Sequence, residues 1–179
     1  MKTTEILIAG FGGQGVLFSG KFLAYKGLVE ELQVSWLPSY GPEMRGGTAN
    51  CSVILSDTPV GSPIITTPSV LIAMNLPSLQ KYMGSVVAGG QIYVDSSLID
   101  VKVERDDVEV FYIPATQMAK EEGISSLANM IIVGHLLENH PELSFEGAKE
   151  VVEKLVPAKK EALKELNMKA LNLGKNYNK

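Results

Sequence analysis

The sequence predicts an α/β fold: one Rossmann-like domain over residues 1–179, a three-layer sandwich with a mostly parallel sheet and helices on both faces. Three observations predict it. A glycine turn, Gly10-Phe11-Gly12-Gly13-Gln14-Gly15, separates the apolar run Ile6-Leu7-Ile8-Ala9 from a helical segment beginning near Val16. Short apolar runs bounded by Gly, Pro and Asn then alternate with helical segments along the chain. A length of 179 residues with 45% hydrophobic content suits one domain burying about 70% of its unfolded surface.

The elements follow in order. A strand from Glu5 to Ala9 leads through the turn to a helix over Val16 to Gly27, whose apolar stripe includes Val16, Leu17, Phe18, Phe22 and Leu23. A second strand ends at Val34-Ser35-Trp36-Leu37-Pro38-Ser39. After it comes a loop from Pro38 to Gly47 whose glycines and prolines set its shape by backbone constraint rather than burial. Alternation over Thr48 to Leu55 marks a third strand, and Ser56 to Pro63 reads as a turn or an exposed hairpin tip. Strands follow at Val70 to Met74, Gln91 to Asp95 and Glu109 to Ile113. Pro77 suits the first turn of a helix, and Gly123 stops another that starts at Ala115. Residues 125–137 are apolar nearly all round, which predicts a helix buried on several sides. Gly134 within it predicts close approach of another backbone. From about Ser144 the chain reads as two helices divided at Pro157, the first capped by Ser144.

Charge and composition narrow the function classes. Net charge is -4 with 16 basic residues, and the pI is near 5.3, whereas a nucleic-acid partner calls for a clustered basic face. No apolar run is long enough to span a bilayer or forms an export signal, so the expectation is a cytoplasmic protein with no membrane partner. The single cysteine, Cys51, excludes an internal disulfide and falls short of an iron–sulfur or thiolate zinc site. It sits in the third strand as a small buried thiol. His135 and His140 are five apart, which does not put two metal ligands on one helical face. Mean hydropathy of +0.12 is high for a soluble monomer of this size and suggests apolar surface covered by partners.

The glycine turn fits G-x-G-x-x-G through Gly10, Gly12 and Gly15, with Gly13 and Gln14 between. Two readings are open. The turn's N–H groups and the helix start face an anion, or the glycines only permit a tight turn and close helix–strand packing. A dinucleotide also requires an acid at the end of the second strand. None is present there, and Glu30 and Glu31 lie at its other end. Asn75, just beyond a strand's carboxyl end, is a candidate site residue or a cap. Asn129, in the apolar helix, must find hydrogen-bond partners.

Taken together, the glycine turn, Ser39-Tyr40-Gly41-Pro42-Glu43-Met44-Arg45-Gly46-Gly47 and the Asn129 to Gly134 helix resemble the gamma subunit, or gamma domain, of the 2-oxoacid:ferredoxin oxidoreductases. The resemblance runs from about Ile6 into the C-terminal helices, and the wording of the loop is most similar to 2-oxoglutarate-type subunits, with 2-oxoisovalerate-type subunits close behind. It implies a complex that decarboxylates a 2-oxoacid on thiamine diphosphate and magnesium, passes electrons through iron–sulfur clusters to ferredoxin, and forms an acyl-CoA. It implies alpha and beta partner subunits and a ferredoxin-like delta subunit. Gly-Asp-Gly, the motif that holds magnesium in such thiamine sites, does not occur in this chain. The chain is therefore expected to bind none of these cofactors alone and to be inactive in isolation. Gly10, Gly12, Gly13, Gln14, Gly15, Tyr40, Glu43, Arg45, Gly46, Asn75 and Asn129 are expected to line an interface or the coenzyme A side of the site, with Arg45 either facing an anion or pairing with Glu43 or a partner's acid. A stand-alone nucleotide-binding module and the equivalent subunit of an indolepyruvate oxidoreductase are the alternatives.

Overall fold

The computed structural model describes residues 2–40 and 48–178, with the backbone alone for Tyr40. Six strands form one sheet in the order β2-β3-β1-β4-β5-β6. They are β1 (Thr3–Phe11), β2 (Gln33–Tyr40), β3 (Thr48–Ser56), β4 (Val70–Ala73), β5 (Gln91–Asp95) and β6 (Glu109–Ile113). β4, β5 and β6 run parallel to β1, while β3 is antiparallel to both of its neighbours. The predicted mostly parallel sheet is therefore present with one reversed strand. β2 forms the edge, and Pro38 fits there because an edge strand can spare an N–H.

Alternation along β1 sorts side chains to two faces. Ile6 and Ile8 join one core cluster, and Leu7 joins the other. Over the first face pack α1 (Val16–Val29), α3 (Ala115–Glu121), α4 (Ala128–Asn139), α5 (Ala148–Leu155) and α6 (Glu161–Lys175). The second face is covered by α2 (Leu76–Tyr82), a following 3-10 turn (Met83–Ser85) and adjoining segments. Leu79 of α2 packs there with Leu71 and Ile92. Helices thus lie on both faces, but very unequally.

α4 is the element predicted to be buried all round, and every residue from Ala128 to Leu137 is buried. Each fully buried Ile, Val or Leu contributes roughly 1.5–3 kcal/mol, so a residue with no apolar area needs its own reason. Gly134 has one: a Cβ there would strike the Leu171 carbonyl of α6, and one on Gly174 would strike the Ile131 carbonyl of α4. The two helices touch through their backbones, as the glycine predicted.

Three local expectations are corrected. Of the two readings of Ser56 to Pro63, a turn or an exposed hairpin tip, the hairpin is overturned, because β1 lies between β3 and β4; the segment bends at Asp57 and Thr58 and begins a crossover. The first three residues of the predicted 125–137 helix form a 3-10 turn, Ser125–Leu127, and α4 proper starts at Ala128. Ser144 caps nothing. A turn closed by Ala148 N–H to Phe145 O at 3.2 Å and a left-handed Gly147 (φ 75°) delay α5 until Ala148, and the Ser144 hydroxyl donates to Glu30 Oε1 instead.

Candidate functional site

In an open α/β sheet, ligand crevices form beyond the strands' carboxyl ends where the connections part in opposite directions. Here that point lies between β1 and β4. The chain leaves β1 through α1 toward β2 on one face, and leaves β4 through α2 toward β5 on the other. Of the residues singled out by the sequence, Gly10, Gln14 and Asn75 meet at this point, and Asn129 packs against Gly15 at the start of α1.

Gly10 is the next-to-last residue of β1, and a Cβ there would lie 2.7 Å from Gln14 Oε1 and 2.8 Å from Met74 Cβ. Its lack of a side chain makes room for Gln14. The Gln14 carboxamide turns back into the crevice: Oε1 accepts from the Phe11 N–H at 2.6 Å and from Asn75 Nδ2 at 3.3 Å, and Nε2 donates to the Met74 carbonyl at 2.9 Å. Asn75 Oδ1 accepts from the Ser78 N–H at 2.9 Å, so Asn75 caps α2 and joins the site at once. Of the two readings of Asn75, the cap is observed, at the start of α2.

Gly15 is the residue before α1, with φ 76°, a conformation that favours glycine. It is also crowded. A Cβ would come within 2.5 Å of the Asn129 amide, whose Nδ2 donates to Gly15 O at 3.1 Å and to Ser19 Oγ at 2.9 Å. Asn129 Oδ1 is buried without a hydrogen-bond partner. Gly12 is half-buried in the turn, whereas Gly13 (φ 98°) is exposed with open space around it.

Ser39 and the backbone of Tyr40, the described part of the second motif, lie at the same sheet end. Tyr40, Ala49 and Gly10 form one row across β2, β3 and β1, and Thr48 opposes Phe11. The side chain of Tyr40 and all of Glu43, Arg45 and Gly46 lie outside the described residues.

Asp95 was missed by sequence reasoning. It ends β5 as Asn75 follows β4, and it is fully buried. Its Oδ2 accepts from Thr116 Oγ1 at 2.6 Å and its Oδ1 from the N–H groups of Ser97 and Thr116 at 3.1 and 3.3 Å. The same signal that marked Asn75, a polar residue at a strand's carboxyl end, would have found it. Its bonds are all internal and tie β5 to the start of α3.

One cysteine cannot hold an iron–sulfur cluster, and among the described residues no group of three or more His, Cys, Asp or Glu could hold a metal ion. Cys51 is fully buried under Gly20, and burial pushes its thiol up to about 12, partly countered by a hydrogen bond from Trp36. Such a thiol stays protonated, whereas a metal ligand must be a thiolate. The turn's own N–H at Phe11 is bound to Gln14, so the oxygen facing it belongs to the protein.

Comparison with known proteins places the chain in a family. The family model described as pyruvate ferredoxin/flavodoxin oxidoreductase matches residues 5–177. Ketoisovalerate oxidoreductase subunit VorA of Methanothermobacter marburgensis is 41% identical over 136 residues, which are 76% of this chain and 28% of that one. The chain thus spans under a third of that relative. Against 2-oxoglutarate synthase subunit KorC of the same organism, identity is 36% over 178 residues, covering 96% of this chain and 94% of the other. The gamma subunit of a keto/oxoacid ferredoxin oxidoreductase from Geobacter sulfurreducens superposes with a TM-score of 0.83 at 31% identity, over 97% of this chain and 95% of that one. The 2-oxoglutarate:ferredoxin oxidoreductase of Magnetococcus marinus, solved with 2-oxoglutarate, coenzyme A and succinyl-CoA, superposes at 0.85 with 27% identity, over 98% of this chain and 31% of that one. With nearly its whole length matched by the family model and by a separate subunit of similar size, the chain belongs to the pyruvate ferredoxin/flavodoxin oxidoreductase family.

Proposed function

We propose that this chain is, as a single domain, the gamma subunit of a cytoplasmic 2-oxoacid:ferredoxin oxidoreductase acting on 2-oxoglutarate. In this reading it performs no chemical step. It supplies docking surface to alpha and beta subunits and a ferredoxin-like delta subunit, and it forms the coenzyme A side of their shared site. The observation that carries the reading is one of length. The same domain stands alone in KorC but makes up about a third of the Magnetococcus chain. A unit that serves either as a separate subunit or as part of a longer chain is one whose partners hold the rest of the machinery.

The chemistry of the side chains supports it. Thiamine diphosphate, magnesium and clusters would supply carbanion stabilisation and electron transfer, and the one buried, protonated thiol and the absent Gly-Asp-Gly motif leave them to other chains. The part assigned here to the glycine turn, to Asn75 and to Arg45 is to shape a surface. The test is reconstitution. The purified chain alone should show no 2-oxoglutarate-dependent, coenzyme A-dependent viologen reduction, and the complex purified with its partners should show it. Turnover by the solitary chain, or a fully active complex lacking it, would overturn the proposal, and turnover of indolepyruvate instead would replace the substrate.

A further inference from the structure

The Gln14 carboxamide uses both of its ends across the crevice. Oε1 holds the turn's first N–H and the Asn75 amide, and Nε2 holds the last carbonyl before Asn75. Asn75 in turn holds the Ser78 N–H of α2. One side chain therefore joins β1, the glycine turn, the end of β4 and the start of α2, across about sixty residues of sequence. Beyond this clasp, Phe11 and Gly13 are exposed. The turn's outward shape is set by a group that is itself turned inward.

We propose that Gln14 is a positioning residue: it fixes the Phe11–Gly13 surface for the coenzyme A side of the assembled site without touching the ligand. This rests on the reading above of the chain as the subunit on that side. The side-chain chemistry is specific. Alanine leaves the Phe11 N–H and the Met74 carbonyl unpaired. Glutamate keeps both acceptor contacts but sets an oxygen against the Met74 carbonyl where an N–H was. It should rescue in part.

The experiment has two readouts. Amide hydrogen exchange in the full chain should show Phe11 protected, its protection lost in Gln14→Ala and largely kept in Gln14→Glu. In the complex with its partner subunits, Gln14→Ala should raise KM for coenzyme A about tenfold, the size of one ligand hydrogen bond lost as the Phe11–Gly13 surface shifts, with a much smaller change in kcat and an intermediate rise for Gln14→Glu. Unchanged Phe11 protection in Gln14→Ala overturns the proposal. Lost protection with unchanged KM overturns it too, and Arg45→Ala then separates the two ideas. If Arg45→Ala raises KM, the coenzyme A-side reading survives and only the role of Gln14 falls; if it does not, both fall. Should Gln14→Ala not fold, the intermediate KM of Gln14→Glu carries the test, and a wild-type value there overturns the proposal.

Discussion

Gly13 and Gly15 show how alike two residues can look in sequence and how differently they are held. Both have positive φ, at 98° and 76°, yet Gly13 faces open space and Gly15 abuts the Asn129 amide. Alanine at Gly13 should cost about 1–2 kcal/mol, from backbone strain alone. Alanine at Gly15 adds a collision inside a packed junction and should cost roughly 3–5 kcal/mol. Urea unfolding of the two variants measures the difference, and equal losses would refute the Asn129 contact as the cause. The spacing of these glycines was legible. Whether they served a ligand or packing was not, because the answer depends on the direction of Gln14 and on a partner 114 residues away.

α4 and α6 carry the clearest titration. His135 on α4 is buried, with Nδ1 3.0 Å from the Gly174 carbonyl and Nε2 3.3 Å from Asn139 Nδ2, among the rings of Tyr93, Phe111 and Tyr177. Nδ1 must donate to that carbonyl, which leaves Nε2 to accept from Asn139, so the neutral tautomer satisfies both. Burial holds its pKa below the usual 6.5, outweighing the Gly174 carbonyl and Glu138, which pull it up. The unfolded chain therefore takes up a proton first as pH falls. The contribution of His135 to stability is complete above 6.5 and shrinks as pH drops from there toward the folded value. An NMR titration of the His135 ring should give a midpoint below 6.5; one at or above it would contradict the arrangement. Gly134 announced a close neighbour for this helix from sequence alone. That the neighbour is Leu171 of α6 required the tertiary structure, since nothing in a local pattern names a contact across a chain.

At the scale of the whole molecule, among the described residues five α-helices lie on one face of a Rossmann-like sheet and one short α-helix on the other, and the Gln14 carboxamide bridges the ends of β1 and β4. Calorimetry of the isolated chain with NADH, FAD and AMP should show no micromolar binding. Heat from any of them would favour the stand-alone nucleotide-binding module. What the sequence by itself determined was the class of fold, the order of most elements, the buried helix and the buried thiol. These follow from periodicity, glycine placement and residue counts, which are local or compositional. What only the tertiary structure decided was the reversed β3, the unequal layers, the delayed start of α5, the joining of Gly10, Gln14 and Asn75, and the packing of Asn129 on Gly15. Each of these depends on which distant segments pack together, and that is settled by the burial of the whole core rather than by any one stretch of the chain.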